Sequence, residues 1–131
     1  MPYARLKARR ELLERALKER IVIIDGAYGT HFQKLKLNEE DFRGERFADH
    51  HSPLKGNTDL LVLTQPDVVR AAHEAYLKAG AEIIKTNSFT ATTISQADYN
   101  LAPLAVEINV EAAAIARSIC DVYETAGRPR F

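Results

Sequence analysis

Apolar positions change period along this chain, and each change marks a predicted element. From residue 3 to about residue 19, Leu6, Leu12, Leu13, Ala16 and Leu17 recur at mixed three- and four-residue spacing among Arg, Lys and Glu. That is the pattern of an amphipathic helix packed by its apolar stripe, its charged face carrying i to i+4 pairs such as Glu11–Arg15 and Glu14–Lys18. The period then collapses: Ile21-Val22-Ile23-Ile24 is a run of four β-branched residues. Such a run predicts a strand buried on both faces, as in a parallel sheet covered by helices. Residues 31–63 show no clean period and are rich in Asn, Asp, Glu, Gly and His, which predicts a long loop excursion with one short helix.

Regularity returns at Thr64-Gln65-Pro66-Asp67, where Thr64 is placed to cap a helix and Pro66 to occupy its first turn. Val68, Val69, Ala72, Ala75, Tyr76 and Ala79 form the predicted buried stripe, and Gly80 the left-handed stop. Ala81-Glu82-Ile83-Ile84-Lys85-Thr86-Asn87 then reads as a second strand, parallel to the first through a right-handed crossover. Residues 90–99 predict a short helical or turn segment. A long helix follows from Pro103 to about Thr125, its stripe Leu104, Ile108, Val110, Ala113, Ile115, Ala116 and Ile119, with Gly127 past its end. Arg128-Pro129-Arg130-Phe131 stand where a third strand would start, so the pattern is that of a chain cut inside a larger fold.

Chemistry is expected where the strands stop, because α/β sheets and barrels gather functional groups at the carboxyl ends of their strands. Asp25 follows the first strand directly, with Gly26 and Gly29 allowing close backbone approach. The other reading of Asp25 is a turn residue of its own loop. Thr86, Asn87 and Ser88 end the second strand. At the carboxyl end of its strand, Asp25 is expected in the complete protein to serve recognition and contribute little to folding.

Composition narrows the classes. The 131 residues are 46% hydrophobic and 27% charged, an ordinary globular balance. Lys plus Arg equals Asp plus Glu at 18 each, so no net field favours nucleic acid or an anionic membrane. Absence of a signal-peptide core or a spanning apolar run predicts a cytoplasmic location. The one cysteine, Cys120, is expected to be a buried small hydrophobe. His31, His50, His51 and His73 lack metal-motif spacing, and His50 and His51 are expected to be solvated loop residues. Gly26-Ala27-Tyr28-Gly29 lacks the G-x-G-x-x-G spacing of a dinucleotide loop.

Asp25-Gly26-Ala27-Tyr28-Gly29-Thr30, Lys36 to Phe47 with its Phe42-Arg43-Gly44-Glu45 core, Leu54-Lys55-Gly56-Asn57, and Thr86-Asn87-Ser88-Phe89 with Ala97-Asp98-Tyr99 together carry a family likeness. From Arg20 to Phe131 the chain resembles the homocysteine-binding barrel of cobalamin-dependent methionine synthase, shared with homocysteine S-methyltransferases. The resemblance implies an α/β fold of the (β/α)8 TIM-barrel family, here its first two to three βα units. Residues 1–19 form an N-terminal helix and residues 20–131 the incomplete barrel domain. It also implies methyl transfer to a homocysteine thiolate activated by zinc on three cysteines, with methylcobalamin recharged from methyltetrahydrofolate on other domains. Zinc and cobalamin are expected in the full-length family member and not on this chain, whose Cys120 matches none of the zinc cysteines. The remaining barrel and the folate and cobalamin domains are the expected partners.

By the same resemblance Asp25 lies near the substrate amino group, Gly26 and Ala27 offer N–H donors to its carboxylate, and Thr86 and Asn87 line the mouth. Tyr28 replaces a usual methionine and Lys85 stands where close relatives carry glutamate. The alternatives to an inactive methyltransferase fragment are a stand-alone binding module using the same half site, or an enzyme of another α/β class. As a fragment, the chain is expected to leave sheet surface uncovered.

Overall fold

The computed structural model describes residues 2–131, and helix dominates them. Helix α1 (Pro2–Glu19) forms where the period predicts it. Its leucine stripe is not what attaches it, since Leu6, Leu12 and Leu17 are exposed and only Ala16 is buried. Attachment is ionic instead. Arg9 donates to both carboxylate oxygens of Glu124 (2.7 and 3.0 Å) and to the Arg130 carbonyl (3.0 Å), while Arg5 faces Asp121. The surface pairs are Lys7–Glu11 and Arg10–Glu14 and not the predicted ones. Each of these glutamates has a basic residue four positions before and after it, a choice between pairs of similar, small energy.

The excursion is more ordered than its composition suggests. It holds α2 (Gly29–Lys34), α3 (Glu39–Arg43), and a 3-10 turn at Thr58–Leu60 running into α4 (Leu61–Thr64). Asn38 and Asp41 close a capping box on α3, each side chain accepting the other's backbone N–H at 2.8 Å. Glu39 accepts from the N–H groups of Leu54 and Lys55 (both 2.7 Å) and from Arg43 (2.9 Å). Arg43 in turn donates to the carbonyls of His50 (2.6 Å) and Ser52 (3.2 Å). Two side chains thus replace the backbone ladder that a loop lacks. Gly44, at φ +55, leaves room that a Cβ would take 3.2 Å from Thr64.

Helix α5 (Pro66–Ala79) begins at Pro66 and ends on Gly80 at φ 109, as predicted. Thr64 does not cap it; Thr64 closes α4, and Gln65 holds the cap position without a side-chain bond. Val69, Ala72, His73 and Leu77 are its buried face, while Ala75 and Ala79 are exposed. Short α6 (Thr93–Ala97) is capped by Thr92. A 3-10 turn holding Pro103 leads into α7 (Ala105–Tyr123), which buries Ala105, Ile108, Ala112, Ile115, Ala116 and Cys120. Val110 and Ala113 face outward, so the true stripe is shifted from the predicted one. Helices α4, α5 and α7 meet around Leu60, Leu61, Val69, Ala72, Ile108 and Ile115.

The expected strands are the main correction. The segments 21–25 and 81–87 are extended and parallel, but among the described residues regular pairing is limited to the isolated bridges Ile24–Ile83 (parallel) and Thr125–Arg128 (antiparallel). The fold is mostly helical with almost no strand. Ile21, Ile23 and Ile24 are exposed, Ile21 at 89%, and so are not buried on both faces. Two local causes stop the ladder. The Ile23 carbonyl accepts from both Glu82 and Ile83 (2.8 and 3.1 Å), which spends an acceptor on an irregular register. After Asp25 N–H donates to Ile83 (3.0 Å), the next parallel bond should run from Lys85 N–H to the Asp25 carbonyl; it goes to the Asp25 carboxylate instead (3.0 Å).

On its other side, residues 82–84 meet Phe131, whose N–H donates to Glu82 and whose carbonyl accepts from Ile84 (both 2.7 Å). The chain's last residue therefore begins the pairing predicted for a third strand. No helix among the described residues is long and apolar enough to cross a membrane.

Candidate functional site

Where the two extended segments end, a cleft of about 530 Å³ opens between Gly26, Ala27, Tyr28, Gly29 and Phe32 on one side, Thr58 and Asp59 at the back, and residues 85–89 on the other. Gly26, Ala27, Thr86 and Asn87 thus come together from positions 60 residues apart. Asp25 does not line the cleft. Its side chain is fully buried beneath Tyr28 and Lys85, whose atoms hold it.

The carboxylate is asymmetrically used. Oδ2 accepts from the Tyr28 hydroxyl and from Lys85 N–H, while Oδ1, also buried, has no hydrogen-bond partner. Its nearest cation is the Lys85 ammonium at 3.7 Å. The expectation that Asp25 contributes little to folding is therefore corrected: two bonds to a buried carboxylate end the ladder and order the turn, and removing them would strand its donors.

Tyr28 links this carboxylate to α5. Its single proton goes to Asp25, so its oxygen accepts from His73 Nδ1 (2.8 Å), which assigns the ring proton to Nδ1 and leaves buried Nε2 unpartnered. Burial, with the Asp25 bond added, raises the Tyr28 phenol well above its ordinary value. Burial pushes His73 down to about 4 despite the nearby carboxylate, so the imidazole is neutral. Tyr28 and His73 are the residues that sequence reasoning missed. The available signal was the register of α5, in which positions 69, 73 and 77 share one face.

Gly26 is required by close approach: a Cβ there would lie 2.9 Å from the Tyr76 hydroxyl, which donates to the Ala27 carbonyl at 2.6 Å. Gly29 has open space around it among the described residues. The N–H groups of Gly26 and Ala27 make no hydrogen bond among the described residues. Asn87 is buried and donates to the Thr58 carbonyl (2.9 Å), pinning the second segment to the excursion. Thr86 is exposed, its hydroxyl 2.6 Å from that of Ser88.

Behind the cleft, Asp59 accepts from the N–H and hydroxyl of Thr90 (2.5 and 2.9 Å), and burial raises its pKa. Asn57 and Gln96, both buried, exchange reciprocal amide bonds of 2.8 and 3.1 Å.

Cys120 is buried beside Leu77, Ile84 and Ala116, and burial pushes its thiol up. Among the described residues no three His, Cys, Asp or Glu side chains gather as a metal site. His51 is exposed, but His50 is not the solvated residue expected: its Nε2 meets the Tyr99 carbonyl at 2.8 Å and its ring packs on Phe47. A family model described as homocysteine S-methyltransferase matches residues 22–131, a span that contains the whole cleft.

Proposed function

The chain belongs to the homocysteine S-methyltransferase family, and on that premise we propose that the cleft is the amino-acid end of a homocysteine site serving methyl transfer to the thiol. The observation that carries this reading is the meeting of free Gly26 and Ala27 N–H groups with Thr86 and Asn87 above the buried Asp25 carboxylate. Paired N–H donors suit a substrate carboxylate, and a buried anion with an unused oxygen suits its ammonium.

The finer reading is a (β/α)8 barrel of the cobalamin-dependent methionine synthase type, with residues 20–131 its first βα units. Its support is the Phe42-Arg43-Gly44-Glu45 segment, in which Arg43 organises the excursion, and the parallel order of segments 21–25, 81–87 and Phe131. A zinc ion would deprotonate the thiol and methylcobalamin would supply the methyl group. The residues present do not form a zinc site, since Cys120 lies inside the α5–α7 packing, away from the cleft.

Isothermal titration of the full chain with L-homocysteine tests the reading. Saturable binding is expected, weakened about tenfold or more in Asp25→Asn protein whose thermal melt matches wild type. Binding indifferent to Asp25→Asn would reject the assignment.

A further inference from the structure

Lys85 sits on the only unsatisfied face of the buried carboxylate, and its geometry is that of a stand-in. Its ammonium is 3.7 Å from Asp25 Oδ1, close enough to neutralise the charge and too far to bond it. The Asp25 side chain is wholly buried, whereas that of Lys85 is half exposed and lines the cleft. Its four-carbon stem is long enough to carry the charge back to water when another cation takes its place beside the buried carboxylate. A ligand ammonium entering the cleft would find the anion it requires already shielded by a cation of the same type, but one making no hydrogen bond to it.

From this geometry we infer that Lys85 is a specificity-determining residue: its side chain fills the ammonium position of Asp25, and an amino-bearing substrate binds by displacing it. The inference rests on the homocysteine reading of the cleft. Its consequence is a reduced preference for ligands that carry an amino group. Displacement exchanges an unbonded charge contact for a bonded one, while Lys85 regains hydration. A ligand with no ammonium leaves Lys85 in place and is indifferent to Asp25 Oδ1. The backbone N–H of Lys85, which bonds Asp25 Oδ2, is retained when the side chain is substituted, and a thermal melt of each variant checks that the turn survives loss of the cation.

The test is titration of the full chain with two thiols, L-homocysteine and 4-mercaptobutyrate, which share the thiol and carboxylate and differ in the amine. In Lys85→Met, homocysteine should bind about threefold to tenfold more tightly, the span expected for a pair with one partner half exposed. Affinity for 4-mercaptobutyrate should stay level or fall, so the ratio between the two rises at least about threefold. Lys85→Arg, which keeps the cation, should retain the wild-type ratio. An unchanged or reduced ratio in Lys85→Met, with both thiols still binding, overturns the role of Lys85 and leaves the homocysteine reading standing. Failure of L-homocysteine to bind wild type and both variants overturns the homocysteine reading and this inference with it.

Discussion

The two walls of the cleft are built on different physics. The wall from residues 29–64 packs Phe32, Phe42, Leu54, Leu60, Leu61 and Val62 into an apolar core shared with α5 and α7, and has a polar skeleton centred on Glu39, Arg43 and the bond from Asn57 to Gln96 of α6. The wall from the extended segments buries Ala81 and Ile84 but leaves Ile21, Ile23 and Ile24 in solvent, and its ladder ends on the Asp25 side chain. A region that looks like a loop by composition is thus better anchored than one that looks like a central strand. Strand-type sequence stabilises only when both faces are covered, whereas side-chain bonds can order an irregular segment from within.

The sharpest way to break this contrast is a pair of substitutions. Leu60→Ala should cost about 2–5 kcal/mol in denaturant unfolding, since Leu60 is completely buried. Ile23→Ser, in the expected strand, should cost under about 1 kcal/mol. Similar losses at both positions would show that the first segment is covered in solution.

Acid should act through the joint between the walls. His73 titrates near 4 when folded, against about 6.5 unfolded, so the unfolded state binds more protons between these values. Stability is therefore full above about pH 6.5 and falls as pH drops toward 4, by on the order of 3 kcal/mol. His73→Phe should flatten that part of the profile; an equal slope in the variant would assign the acid sensitivity elsewhere.

A smaller effect separates the excursion's polar skeleton from its apolar core. Gln96→Leu leaves the buried Asn57 amide without its partner and should cost about 1–3 kcal/mol. Pairing it with Asn57→Leu should recover part of the loss if the amides act as a unit, and simple additivity would deny that.

The least effect is expected at the margin. Arg9→Ala removes the bonds to Glu124 and Arg130, so hydrogen exchange should lose protection in α1 while the global unfolding midpoint barely moves. A large shift in that midpoint would make α1 part of the core.

Much of this was legible from residue pattern. Pro66 and Gly80 bounded α5, the mixed spacing before residue 19 marked α1, and Gly26, Thr86 and Asn87, which follow strand-like runs, do meet at one cleft. Those signals are local: a fixed φ, a left-handed stop, a period set by one element's geometry. Even there the faces of α5 and α7 were misjudged, because several alanines can serve either face and only neighbours choose between them.

What the sequence determined alone is the place of α1, the two ends of α5 and the presence of a long final helix. Only the tertiary structure decided that Tyr28 joins Asp25 to His73, that Asn38, Glu39 and Arg43 turn a polar loop into a wall, and that Lys85 rather than open cleft meets Asp25. The physical reason is range. Capping and periodicity act within a few residues, but the partners of a buried carboxylate or imidazole are set by which distant segments share its desolvated space, and no local pattern encodes that choice.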